Sequence, residues 1–408
     1  MKPWRLLARS AIVAPMAFLF LLIAGCRQQV LEYPAAYHQY AYVTNGKSND
    51  VSVIDTRNFK TVKTISVGKN PTGIAASPTR NEIYVISSDS NDMRVIDAER
   101  NAVVATIPLG RSPFFVDVSP DGSRAYVANS ASNDVSVIDL AARKVIATVP
   151  VGAGPGLARV SQDGKTVVLT NREGDSVSIL DARKLAVRQT IPICAQPTDI
   201  VILPESNKAF IACSMRASAA KAAKRNKAPA VLDDGGPGQV AVIDLTSDKL
   251  LTLLDVGKTP VQLALKPDGG ELFVSNFGSD TVSTIETGAN EVSNAQPMGG
   301  NPVRAVVSAD NSLLYVSNFG SDSVGVYSIQ NGKFLKAIPV GNHPDAIALQ
   351  PAGTSDQYFV LVADSKSNDV AVIAVNPDKP AWSLFTMVPV GIEPRQIALK
   401  AFTSAQKP

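Results

Sequence analysis

Few side chains in this sequence suit redox or acid–base chemistry. There are two histidines, His38 and His343, three cysteines, Cys26, Cys194 and Cys213, and two tryptophans, Trp4 and Trp382. No His, Cys or carboxylate spacing matches a metal centre. A haem iron needs an axial ligand, usually His; His343 stands alone, and His38 falls in a segment ahead of the folded body. Two histidines give little material for a Ser-His-Asp set. A tryptophan-derived quinone needs a core Trp, and Trp382 reads as part of an outer loop. The sequence therefore predicts no cofactor and no metal, and it offers no positive support for catalysis. The polar residues that do recur are Asp55, Asp97, Asp139, Asp181 and Asp244, with Asn45, Asn129, Asn171, Asn276 and Asn318. A catalytic acid is not needed five times over, whereas a carboxylate that accepts from nearby main-chain N–H groups starts a turn. These are read as turn residues.

Cys26 belongs to a different chemistry. Lys2, Arg5 and Arg9 precede an uncharged apolar stretch from Ala11 to Leu22. That is a secretory pattern, too short for a membrane span. It ends in Leu22-Ile23-Ala24-Gly25-Cys26, which resembles the bacterial lipobox. The resemblance implies cleavage after Gly25 and a lipid on Cys26, with residues 1–25 as signal peptide and 26–39 as tether. Arg27 follows where an Asp would imply retention at the inner membrane. The expected place is the periplasmic side of the outer membrane, with the inner membrane and the cell surface as alternatives. Of 39 Lys and Arg, three lie in the signal, leaving 36 against 36 Asp and Glu. A neutral body argues against a general polyanion binder, so nucleic acid is not an expected partner.

Self-similarity shows what must position everything else. Tyr42-Val43-Thr44-Asn45 recurs at Tyr84, Tyr126, Val168 and Phe210, each start 42 residues after the last, and again at Phe273, Tyr315 and Leu361. Each copy adds an alternating run such as Val51–Asp55, then Thr64–Gly68, then a Gly-x-x-Pro loop opening a further apolar run such as Pro71–Ala76. Period-two alternation broken by Gly, Pro, Asn and Asp means short strands and tight turns. Four strands per repeat of about 40 residues predict an all-β fold, a single β-propeller. Strands are lettered A to D from the axis outward. B, C, the end of D and the Pro of A each occur eight times, so eight blades are expected, with seven as the alternative. The chain starts on B and ends on A, so Pro394–Leu399 must return to complete the first blade. The propeller is placed at 40–400 and a tail at 401–408.

These repeats resemble the YVTN β-propeller proteins of bacterial envelopes and archaeal surface layers. The resemblance covers about 40–400 and is specific for fold. It says little of function, because the repeated residues are those that build blades. Lactonase-type propellers, quinone-cofactor dehydrogenases and the haem-d1 propeller share the architecture.

Departures from the repeat gather on the face carrying the D–A and B–C loops. The fifth B–C loop is 21 residues longer than the norm, 30 residues from Phe210 to Val240 against nine from Tyr126 to Val135. This insertion, 214–239, carries Arg216, Lys221, Lys224, Arg225 and Lys227. It reads as a solvated loop, or as a lid or partner-docking arm. On the same face Phe114, Phe115, Phe277 and Phe319 converge with Arg111, Lys258, Arg304, His343, Asp345 and Arg395. Aromatic and basic groups around a funnel suit a small anionic or sugar-like ligand. The register also places Cys194, where other repeats end strand D with Gly, beside Cys213, where most end strand B with Asn. A disulfide is expected, two unpaired buried thiols being the alternative.

The leading reading is a monomeric, non-enzymatic binding or scaffold lipoprotein that meets an envelope protein or small ligand through this face. The alternatives are an envelope enzyme with a lactonase- or quinoprotein-like funnel site, and polyanion binding through the basic insertion. Replacing Cys26 by Ser should move the protein from the membrane fraction to the soluble periplasmic fraction. A variant that still pellets with membranes excludes Cys26 as the anchor.

Overall fold

The computed structural model describes residues 36–216, 236–350, 358–376 and 381–404. They form eight four-stranded antiparallel sheets, each in the order A-B-C-D, so the ring has eight blades and the seven-blade alternative falls. Blade 1 is built from both ends of the chain: strand A, Pro394–Thr403, pairs with strand B, Tyr37–Asn45, in a register running from Tyr37↔Thr403 to Thr44↔Gln396. Strand B begins ahead of the expected start at residue 40, so His38 is part of blade 1, its ring 5.3 Å from that of Phe402. Trp382, expected in a loop, opens strand D of blade 8, Ala381–Pro389; its Nε1 donates to Tyr315 Oη at 3.3 Å.

The core lies between blades. Apolar residues of strands B and C face both neighbouring sheets, as where Ala41, Val43 and Ile54 of blade 1 pack on Leu361, Val370 and Val372 of blade 8. Strand D is the solvent edge; Lys60–Ser66 of blade 1 buries only Ile65. The fourth and fifth residues of strand C straddle a register shift against D in every blade, Val53/Ile54 and Val137/Ile138 among them. A bulge adds twist, letting flat sheets pack radially.

Two contacts recur from one blade to the next. First, in seven of the eight steps the glycine after strand D lies against the residue ending strand B of the following blade. A Cβ on Gly110 would come within 2.6 Å of Asn129 Cγ, and one on Gly152 within 2.5 Å of Asn171 Cγ. Each Asn is buried and spans to strand C, Asn129 Nδ2 donating to Asp134 Oδ1 at 2.6 Å and Ser136 Oγ at 2.8 Å. These asparagines are thus buried braces rather than the turn residues the sequence suggested; the aspartates ending strand C do cap turns, as Asp181 Oδ1 accepts from the N–H of Arg183 and Lys184 at 2.9 Å.

The second contact concerns the residue before the Pro of strand A. It has φ between 50° and 61° in all eight blades, including β-branched Thr259. That conformation is costly for most residues. In seven steps the N–H of this residue is held at 2.8–3.1 Å by a side-chain oxygen from the B–C turn of the preceding blade: Asn49, Asn91, Asn133, Asp175, Asp280, Asp322 and Asn368. In the eighth step, at Thr259, the preceding B–C connection is the long insertion.

Gly110→Ala should therefore cost about 1–3 kcal/mol, the usual range for a forced core overlap. Gly288→Ala, where a Cβ meets nothing within 4 Å, serves as control. Urea denaturation of both variants checks this; equal midpoints would show that the connector glycine is not sterically required.

Candidate functional site: the axial funnel

Strand A of each blade lines the axis, and its side chains bind the neighbouring inner strands together. Asp117 Oδ2 accepts from Val160 N at 2.8 Å, Gln262 Oε1 from Ala305 N at 2.9 Å and Thr72 Oγ1 donates to Phe114 O at 2.9 Å. Asp199 accepts through one oxygen from its neighbour Ile200 N at 2.9 Å and through the other from Leu263 N of blade 6 at 3.0 Å. The wall is thus fixed by main-chain hydrogen bonds and opens on the D–A/B–C face as a cavity of about 620 Å³.

Six of the residues expected at this face line the cavity: Phe114, Phe115, Phe277, Arg304, Phe319 and Asp345. The Phe277 and Phe319 rings sit 6.3 Å apart, and the His343 ring lies tilted against Phe319 at 4.2 Å, just outside the lining. Three others are absent from the lining. Arg111 donates to Ala131 O at 3.0 Å. Arg395 is taken up by Glu393 Oε1 at 2.7 Å and Asn70 Oδ1 at 3.0 Å. Lys258 does not line the cavity, its N–H being held by Ser279 Oγ at 3.0 Å. In the insertion, Arg216 meets Asp255 at 3.0 Å; Lys221, Lys224, Arg225 and Lys227 lie outside the described residues, as does Cys26. Cys194 and Cys213 are joined by a disulfide with Cα atoms 5.7 Å apart, and both are fully buried.

The sequence reading missed Arg159, Arg172 and Asp199, which line the same cavity. It compared loops, whereas Arg159 and Asp199 lie within strand A. Aligning the fifth residue of each strand A would have found Arg159, since most blades place Ala or Val there. Its guanidinium lies over the Phe115 ring with Cζ 4.5 Å from the centroid. Its Nη atoms are 3.8 Å from Asp117 and 3.8 Å from Asp199, beyond hydrogen-bond reach. Among the described residues its side chain donates no hydrogen bond. Arg304 is similar: Nε is buried without a hydrogen-bond partner, 3.8 Å from Asp345. Burial pushes Asp117 and Asp345 above the usual carboxylate range, opposed at Asp117 by Arg159 and at Asp345 by Arg304. The cavity is neutral by count, with Arg159, Arg172 and Arg304 against Glu173, Asp199 and Asp345. Its unused hydrogen-bonding capacity nevertheless includes guanidinium donors, since both Asp199 oxygens are occupied.

Residues 79–378 match the family model described as the Cytochrome D1 heme domain. The chain belongs to that family. Membership accords with an extracytoplasmic propeller. Two solved structures show the same fold. A dihydro-heme d1 dehydrogenase, NirN, in complex with DHE superposes with a TM-score of 0.68 at 14% identity, covering 89% of this chain and 75% of that one. Hydrazine synthase of Kuenenia stuttgartiensis gives 0.58 at 21% identity, over 70% of this chain and 91% of that one. No curated protein matches.

The family raises the question of haem. The phenylalanine walls and arginines suit a flat ring with carboxylates. Iron also needs a donor, and the described lining holds no His, Cys, Met or Tyr. This family member's funnel does not fit a haem held by an axial side chain.

One buried acid at the end of a strand B breaks the repeat. Asp364 takes the strand-B place filled by Asn in five blades, is fully buried, and accepts from Gly341 N at 3.1 Å. It pairs in register with Asp369. Burial first, then the Asp369 carboxylate, push Asp364 up from 3.8 to about 8. Between those values the folded protein holds a proton that the unfolded chain releases, so stability falls as pH rises through that window. Asp364→Asn should remove this fall, raising Tm at pH 8 and leaving it unchanged near pH 4. Parallel Tm curves for the two proteins across that range would contradict the assignment.

Proposed function

We propose that this chain is a non-enzymatic binding protein of the cell envelope, of the YVTN lipoprotein type, that takes a small anionic ligand into the axial funnel. Arg159 is the observation that carries the reading. It is stacked on Phe115 and oriented by two carboxylates too distant to consume its donors. A guanidinium so prepared accepts a carboxylate or phosphate bidentately. Arg304, three blades further round the ring, offers a second such group, and Phe277 and Phe319 offer apolar faces between them. The rigid inner wall limits the ordering cost of binding. Lipidation at Cys26 on the periplasmic side of the outer membrane is part of this proposal.

Family membership and the NirN likeness favour a second reading, a tetrapyrrole held by its carboxylates alone. Titration separates the two. The purified protein is tested by calorimetry against phenylacetate, glucuronate and haemin. A colourless anion should bind, and Arg159→Gln should weaken it about 10- to 100-fold, as expected for losing a charge-assisted pair of about 1.5–3 kcal/mol, with Tm unchanged. Haemin binding with a shifted Soret band would favour the second reading. Undiminished anion binding by Arg159→Gln would reject the first.

A further inference from the structure

Solvent-edge strands of blades 7, 8 and 1 differ from the others. Ten large apolar side chains are exposed among the described residues, and five of them lie on these three strands: Phe334 (45%), Leu335 (42%), Leu384 (42%), Phe385 (42%) and Val62 (50%). Monomeric proteins seldom leave such a cluster without a use. The strands form one belt. Lys336 Nζ donates to Trp382 O at 3.0 Å across blades 7 and 8, and Thr61 Oγ1 to Pro389 O at 2.8 Å across blades 1 and 8. The belt is also basic. Lys60, Lys63, Lys333 and Lys336 are exposed on it, and none of the three strands contains Asp or Glu. The edge strands of blades 5 and 6 carry Asp255 and Glu291 instead.

From this we infer that the blade 7–8–1 rim rests on an anionic phospholipid surface, its Phe and Leu side chains entering the headgroup layer and its lysines meeting lipid phosphates. Aromatic and aliphatic groups interleaved with lysine are the chemistry of interfacial attachment. A protein partner would more usually find a rim of mixed charge around an apolar centre.

The course of the chain supports the same side. Strand B of blade 1 starts at Tyr37, whose carbonyl accepts from Arg57 Nη1 at 3.3 Å. Two residues on, the Phe59 ring lies 5.6 Å from that of Phe385. The chain therefore enters the ring beside the belt. Cys26 is eleven residues earlier in sequence, a reach of at most roughly 40 Å. With Cys26 lipidated, as the proposed function holds, a second weaker contact would convert a swinging tether into a fixed orientation.

The test uses the full chain in vesicles of phosphatidylethanolamine and phosphatidylglycerol, part of the latter brominated. Phe334→Trp places a reporter in the belt, and Val292→Trp places one on the blade 6 edge, with the unsubstituted chain as background. Bromolipid should quench the residue-334 reporter at least threefold more than the residue-292 reporter. Changing Lys60, Lys63, Lys333 and Lys336 together to Gln, or replacing phosphatidylglycerol by phosphatidylcholine, should at least halve that contrast. Equal quenching at both sites overturns the inference. So does a lipid-free dimer, seen by sedimentation, that Phe334→Ser and Phe385→Ser dissolve, since the belt would then serve a second copy. Retention of Cys26→Ser in the membrane fraction would reject the anchor alone and leave the quenching contrast as the test of the belt.

Discussion

The hydrogen bond that the N–H before the next strand A donates to a B–C turn oxygen holds one blade to the next in seven steps of the ring. Each blade buries its apolar faces only against its neighbours, so nothing inside a single sheet fixes the angle between blades. The connector must leave strand D, turn through a left-handed residue and enter strand A within a few residues. Local propensity opposes that conformation at Thr259, Gln196 and Glu393. Side-chain oxygens such as Asn133 Oδ1 and Asp322 Oδ1 supply the acceptor that holds it. The glycine beneath leaves room for the Asn brace of the following strand B. The two contacts together set where strand A begins, and hence which side chains reach the axis.

Blade 5 shows the constraint by its exception. The B–C connection that precedes the Thr259 connector is the long insertion, and one step earlier the Gly–Asn contact is replaced by the Cys194–Cys213 disulfide. A covalent bond closing about 20 residues contributes roughly 3 kcal/mol in the loop-entropy model. It stands at the root of the insertion, where strand B runs on to Met215. The two departures from the repeat are adjacent, which fits a blade whose packing contacts were altered and then covalently reinforced.

Most of the fold was legible in the sequence because repetition amplifies weak signals: eight copies of an apolar alternation leave little freedom in strand order or count. Single positions were harder. His38 looked like tether because strand B of blade 1 is longer at its start than the other B strands, and only its pairing with Thr403 and Phe402 reveals this. Asn129 looked like a turn residue because Asn usually is one; its burial depends on the blade beside it. In the funnel the aromatic residues were found because they interrupt polar loops. Arg159 was missed because a long side chain inside a strand looks solvent-facing until the axis is located. Arg395 and Arg111 have the right charge and the right loop, but Glu393 and the Ala131 carbonyl engage them.

The funnel joins a family resemblance to an unexpected chemistry. The fold supplies a rigid axial opening, and its depth and width follow from eight blades rather than from any ligand. What the opening can hold depends on the few strand-A side chains that escape mutual bracing. In blades 3 and 5 the carboxylates Asp117 and Asp199 brace neighbouring main chain and so act on Arg159 only through space. Coulomb attraction at 3.8 Å in a partly buried site orients a guanidinium without saturating its donors. An anion entering the site would meet an arginine already aligned and would have no side-chain hydrogen bond of that arginine to displace among the described residues. Glu173, Asp199 and Asp345 line the same cavity and would oppose a ligand with acidic groups on every side. Selectivity would then favour anions whose charge is localised at one end and whose body is apolar enough to lie against Phe277 and Phe319.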